Sequence, residues 1–274
     1  MIKPLLFVCL FTFLIHVTET LVYGMRLAGV RTRQIAIALS FVTSSLLISR
    51  LSNMFQAPLL GTMVDSAIAQ GTPETLEGYF RIILFAGFLG TLIGAFLSPT
   101  MIVLYQRAIV HFLSYGSIPK MAVHALKPRN LLAIARSFRL PRFASIKQMS
   151  MASLPKSFLI LNIAVTAVYS IGVLCSLLAG ACLPELRATA IQLSGIVNGI
   201  ATILFTLFVD PAGARITDQA IHGVRPESDV RSVVFYLQMG RLFGILIVAQ
   251  LMFTPFTQYI IWVTRMVATT FGQL

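Results

Sequence analysis

Residues 4–27 read PLLFVCLFTFLIHVTETLVYGMRL, a run of apolar side chains broken only by polar groups such as His16, Glu19 and Arg26. About 20 residues rising 1.5 Å each cross a hydrocarbon core of about 30 Å, where only helices and closed barrels satisfy their own backbone groups. A barrel strand alternates apolar and polar positions, and this run does not, so it is read as a helix. The stretch after Lys3 imitates a signal peptide. No small-x-small cleavage site follows it, and His16 and Glu19 come next, so it is kept as a first span.

Five further runs of the same kind follow, at about 34–62, 79–98 with a possible extension, 157–182, 186–209 and 232–264. Composition agrees with an integral membrane protein: 57% of the 274 residues are hydrophobic and only 11% charged, with a mean hydropathy of +0.86. Soluble domains carry about a quarter charged residues, which disfavours a cytosolic enzyme or a free nucleic-acid-binding module. The net charge of +12 is assigned to cytoplasmic loops, and no nucleic-acid partner is expected.

Arginine and lysine counts orient the chain. The first loop holds Arg26, Arg31 and Arg33, and the third, from about Gln106 to Lys156, holds nine bases including Arg107, Lys120, Arg136 and Lys147. The second loop, Asp65 to Gly78, holds three acids and no base. Both termini are therefore expected outside. Within the third loop, Met101–Leu126 stays rich in apolar residues and Leu131–Met149 sets Leu132, Ile134, Phe138, Leu140, Phe143 and Ile146 among arginines. The 101–150 segment reads as one or two amphipathic helices lying on anionic membrane lipids, with a solvated basic loop as the alternative. A seventh span at Thr100–Ile118 is disfavoured because Arg107 and His111 would enter hydrocarbon.

A comparison of the chain with itself yields an ordered set of matches. Leu27-Ala28-Gly29 returns as Leu178-Ala179-Gly180, Ala36–Ser40 resembles Ala190–Ser194, Pro58 with Asp65 matches Pro211 with Asp218, and Phe96–Pro99 resembles Met252–Pro255. Offsets run only from 151 to 156. Three helices per copy turn the second copy upside down, which is how many carriers are built. The expected architecture is an all-α polytopic membrane protein of about six transmembrane helices, arranged as two inverted three-helix repeats. It forms one membrane domain: 1–127 is the first repeat with its amphipathic extension, 128–156 a basic cytoplasmic segment, and 157–274 the second repeat.

Charged groups at a helix centre cost about 2.5–3.5 kcal/mol on insertion scales, so those inside the spans should face a cavity or a partner. His16, Glu19, Tyr23 and Arg26 share one face of the first helix; Thr43, Arg50 and Asn53 share one of the second, with Gln56 at its edge. Counting depth from the inner ends puts Glu19 about 12 Å up, level with Arg241 and not with Arg50. Arg241 is thus the expected partner of Glu19, leaving Arg50 to meet an anion. The pairs Gly90/Gly94, Gly195/Gly199 and Gly240/Gly244 have the spacing that lets helices approach closely.

No metal site is expected: Cys9, Cys175 and Cys182 show no CxxC spacing, and His111, His124 and His222 show no ligand spacing. Neither is a cofactor. A GxxxxGK phosphate loop, HExxH and GxSxG are missing, so an ATP-driven pump, a membrane protease and an esterase lose their usual signatures.

The stretch Thr18–Thr32, TETLVYGMRLAGVRT, followed by Ser49–Gly61, SRLSNMFQAPLLG, resembles the Amj family of lipid II flippases, the "alternate to MurJ". The resemblance implies movement of the undecaprenyl-pyrophosphate-linked peptidoglycan precursor from the inner to the outer leaflet of a bacterial cell membrane, in the service of cell-wall biogenesis. A pyrophosphate head group needs a hydrated route, because its charges would otherwise be desolvated without partners. On the helix-face argument, Arg50 with Asn53, Gln56, Arg26 and Tyr23 would bind the head group, and Glu19, His16 and Arg241 would gate or couple. Two readings stand beside this one: a membrane enzyme acting on polyprenyl phosphates, and a non-catalytic scaffold using the basic segment.

Overall fold

The computed structural model describes residues 2–125, 127–141, 149 and 154–271. Six helical spans are long and apolar enough to cross a bilayer: Ile2–Thr32, Ile35–Ala69, Thr75–Tyr115, Lys156–Cys182, Pro184–Ile221 and Glu227–Thr270. The chain is a multi-pass, all-α membrane protein, and no strand occurs among the described residues. The spans alternate in direction. One end of the bundle carries the connections at 33–34, 116–155 and 222–226 and is rich in arginine; it is called the basic end below.

Several spans are irregular. The first is interrupted by a turn at Val22–Tyr23, between Ile2–Leu21 and Gly24–Thr32. The fifth and sixth each contain a π-helical stretch, Phe205–Val209 and Gly244–Ala249. Pro58, Pro99 and Pro255 lie inside helices, as is tolerated where neighbouring helices satisfy the freed backbone.

The third span departs from expectation. It is one helix of 41 residues, long enough to reach about 60 Å. Residues after Met101 continue it instead of lying on the surface, because Ile102, Tyr105 and Ile109 are buried against the first and second spans. Arg107 does not enter a seventh span; its Nη1 donates to Ser137 Oγ at 2.5 Å. Gly116 ends the helix in the left-handed region at φ +63°, its N–H donating to Phe112 O. Two short helices follow, Ile118–Ala125 and Pro128–Ala135. Of the stretch expected to form one or two amphipathic helices through Met149, Leu131–Ala135 is helical and residues 136–141 are not. Arg142, Phe143, Ile146 and Lys147 lie outside the described residues. Thr100 ties the end of this segment back, accepting from Arg139 N and donating to Arg139 O.

Both halves pack on one plan. The first span lies against the second and third, which touch each other far less; the fourth lies against the fifth and sixth in the same way. Small residues set both close contacts. A Cβ at Gly90 would stand 2.5 Å from Phe13 O, and one at Gly87 2.9 Å from the His16 ring. In the other half a Cβ at Gly244 would stand 2.9 Å from Ile163 O, while Gly240 faces Asn162. By contrast, Gly195 and Gly199 have nothing within 4 Å. The packing role expected for them from spacing is not theirs; they border open space.

Apolar burial is distributed unevenly along the bundle. At the end opposite the basic end a single core takes a side chain from every span, for example Leu5, Met63, Phe80, Leu174, Leu193 and Phe253. Toward the basic end it divides. Leu27, Phe158, Ile216 and Leu237 form one cluster, and Met25, Ala38, Phe41 and Ile109 another. The second span belongs to the latter alone, and the fifth to the former.

Candidate functional site: a cavity between the second and fifth spans

A cavity of about 800 Å³ lies where the two clusters part. Leu39, Val42 and Leu46, three to seven residues apart on one helical face, form the wall from the second span. Ala201, Thr202 and Phe205 form the facing wall, and Val165, Thr166, Tyr169 and Ser170 of the fourth span form the back. Arg33, Asp218 and His222 line its mouth at the basic end.

Its deep end is a charge cluster. Arg241, only 8% exposed, donates through Nη2 to Glu19 Oε2 and lies 3.0 Å from His16 Nδ1. Ser49 Oγ donates to Glu19 Oε1 at 2.8 Å, so the carboxylate is held by the second and sixth spans at once. Gln238, one turn before Arg241, donates to Ser98 Oγ at 3.0 Å and Thr20 O at 3.3 Å. The pairing of Glu19 with Arg241 is the one that depth along the helices anticipates. Buried charges persist in such a setting only when they are paired and hydrogen-bonded.

Nearer the mouth, Arg26 pairs with Asp210 of the fifth span. Gly213, one turn on, leaves room: a Cβ there would stand 3.4 Å from the Arg26 Cζ. Tyr23 lines the same wall. Toward the opposite end the second span presents Arg50, four residues past Leu46 and therefore on the same stripe, and then Asn53 three further on; both are exposed. Arg50 has no hydrogen-bond or ion-pair partner among the described residues. On the fifth span Gly195 and Gly199 continue the face of Thr202 in the same direction. The strip between the second and fifth spans that runs from the cavity past these residues is called the slot below; at its far end Arg187 pairs with Asp65.

The structure thus gathers His16, Glu19, Tyr23, Arg26 and Arg241 at or beside the cavity, and sets Arg50 and Asn53 farther along the slot. Gln56 does not line the cavity; it is buried, with no partner for Oε1 among the described residues. Sequence reasoning passed over Ser49, Asp210, Arg33 and Tyr169. Asp210 falls just past the fifth apolar run, at 186–209, and Arg33 in the first loop, where a charge serves to orient the chain and does not mark a site. Ser49 is a small hydroxyl beside a more conspicuous arginine, and Tyr169 carries no helix-centre charge to flag it.

The profile of the family described as Amj, Alternate to MurJ, matches residues 11–264. The chain is 36% identical over 261 residues to the lipid II flippase Amj of Bacillus subtilis (strain 168), covering 95% of this chain and 96% of that protein. No solved structure matches. A cavity lined by Arg26, Arg33 and Arg241 in a six-span helical bundle is thus what is found here in a member of the Amj family, to which this chain belongs.

Proposed function

We propose that the chain is a transporter, not an enzyme, that moves lipid II from the inner to the outer leaflet of a bacterial cell membrane by alternating access. The basic end faces the cytoplasm in this reading and both termini face outward, as the positive-inside rule favours. The two halves act as inverted repeats; their shared packing plan, with glycines on the third and sixth spans receiving the first and fourth, supports this.

The observation that carries the proposal is the slot itself. Its chamber at the basic end holds arginines; beyond it the second span exposes Arg50 and Asn53, and a Cβ at Gly195 or Gly199 of the fifth would meet nothing within 4 Å. The pyrophosphate head group travels inside, while the polyprenyl tail stays in lipid outside the seam. Arginine suits phosphate through permanent charge and bidentate donors. Arg26 and Arg241 are already shared with Asp210 and Glu19, so Arg50 is the anion anchor and Tyr23 and Asn53 are polar supports. Glu19, His16 and Arg241 couple the first, second and sixth spans. An interior-negative potential favours outward movement of an anion by about 2.3 kcal/mol per charge per 100 mV, which supplies drive without ATP.

The short helices after the third span and the residues next to them expose Val123, Leu131, Leu132 and Phe138, with Lys120, Lys127 and Arg136 in the same segment. This pattern supports seating on anionic lipids at the cytoplasmic leaflet.

The test is Arg50→Ala in cells depleted of other flippases. Removing a charge-assisted contact weakens binding about tenfold or more, so surface exposure of lipid II should fall at unchanged protein level. Normal exposure at normal protein level would remove Arg50 from the anchor role.

A further inference from the structure

The slot is shut at one end by Arg187 and Asp65, and the self-similarity of the chain specifies what stands at the other. With the offset that relates Ala36–Ser40 to Ala190–Ser194, 154 residues, Arg33 corresponds to Arg187. With the offset that relates Pro58 to Pro211, 153 residues, Asp65 corresponds to Asp218. Both members of the second pair are present and chemically identical to the first. Arg33 and Asp218 both line the cavity mouth, both are exposed, and no ion pair joins them. Asp218 lies 3.6 Å from His222 instead. The chain therefore holds one closed and one open copy of the same contact at opposite ends of one slot: Arg187 of the fifth span with Asp65 of the second, and Arg33, in the link that leads into the second span, with Asp218 of the fifth.

The backbone adds a separate observation. Arg33 sits at φ +54°, the single non-glycine residue in the left-handed region among the described residues. Its N–H caps the first span by donating to Gly29 O and Val30 O. Glycine or asparagine serves such a cap at lower cost. An arginine here implies use of its side chain, yet in this conformation the side chain reaches no acid.

Building on the transport reading above, we infer that Arg33 and Asp218 are gating residues. They form the cytoplasmic latch of the slot, which closes when Arg187 and Asp65 part. An exposed ion pair is weak and screened by water and salt, and a latch that must break in every cycle has to be weak. Each closed latch draws the second and fifth spans together at its own end. Because the single apolar core now ties those spans at the outer end alone, closure at the cytoplasmic end requires the outer contact to loosen. The conformation described here is the inward-open one.

The experiment uses the full chain in membrane vesicles of both orientations, with Cys9→Ala, Cys182→Ala and a Ser170→Cys reporter in the cavity wall, read by a membrane-impermeant maleimide. The parent should label from the cytoplasmic side. Adding Asp65→Arg breaks the outer latch and should shift labelling toward the outside by about fivefold, the most an exposed pair contributes. Adding Asp218→Arg to that protein should cancel the shift, and adding Arg33→Asp as well should restore it. Equal accessibility in all four proteins would overturn the inference, as would a shift indifferent to residues 33 and 218. Should Asp65→Arg not fold, the single reversals Arg33→Asp and Asp218→Arg in cells decide: each should lower surface lipid II at equal protein level and the double reversal should recover it. Failure of the double to exceed the singles would overturn the latch. If the parent exposes no more lipid II than cells lacking it, the substrate reading fails, while the labelling still reports on the latches.

Discussion

The two halves of this protein are alike in packing and unlike in chemistry. In each, the leading span is gripped by glycines of the third helix of its half: Gly87, Gly90 and Gly94 in one, Gly240 and Gly244 in the other. Yet His16, Glu19, Arg26 and Arg50 all belong to the first half, whereas the second half lines the middle of the cavity with Thr166, Tyr169, Ser170, Thr202 and Phe205, adds Arg241 and Asp210 as partners, and brings Asp218 and His222 only at the mouth. Helix contact in lipid depends on close approach, because burying apolar surface brings no gain against apolar solvent. A pattern of small residues can therefore be kept in both halves while the charges diverge.

The sharpest way to break the comparison is at the most buried of the charge pairs that cross it. Glu19→Ala or Arg241→Ala leaves an unpaired buried charge and should cost about 3–5 kcal/mol. The double replacement Glu19→Gln with Arg241→Met should cost less than either. Thermal unfolding of the purified chain checks this; additive losses would show that the pair does not hold the halves together.

A smaller effect is expected from the shared packing. Gly90→Ala and Gly244→Ala each force a Cβ against a backbone oxygen, 2.5 and 2.9 Å away, and overpacking of that kind costs about 1–3 kcal/mol. Similar losses at the two sites in the same unfolding assay would sharpen the likeness of the halves; a loss at one alone would break it.

The smallest effect belongs to the slot. Gly195→Ala and Gly199→Ala meet nothing within 4 Å and should change stability by less than about 0.5 kcal/mol. Gly199→Leu should leave unfolding unchanged while lowering lipid II exposure, since it fills the path and not the core. A loss of stability in Gly195→Ala would mean that this face packs after all.

The same contrast explains what could be read in advance. Six spans, their alternation and the pairing of Glu19 with Arg241 follow from residue type and from a fixed rise per residue, quantities local to the chain. The reach of the third span to Tyr115 did not, because Pro99 and Arg107 argue for a break and only burial of Ile102, Tyr105 and Ile109 by other helices overrides them. Two glycine pairs of identical spacing, Gly90/Gly94 and Gly195/Gly199, proved opposite in role. Spacing fixes which residues share a face, but not what the face meets.

From the sequence by itself came the membrane class, the number of spans, the internal self-similarity and the family resemblance, all of which depend on composition and order along one dimension. Only the tertiary structure decided that Asp210 takes Arg26, that Asp65 takes Arg187 while Arg33 and Asp218 stand apart, and that Arg50 is left without an acid among the described residues. Those outcomes depend on how far apart two helices from different halves lie, and that distance is set by the packing of all six spans together, not by any segment alone.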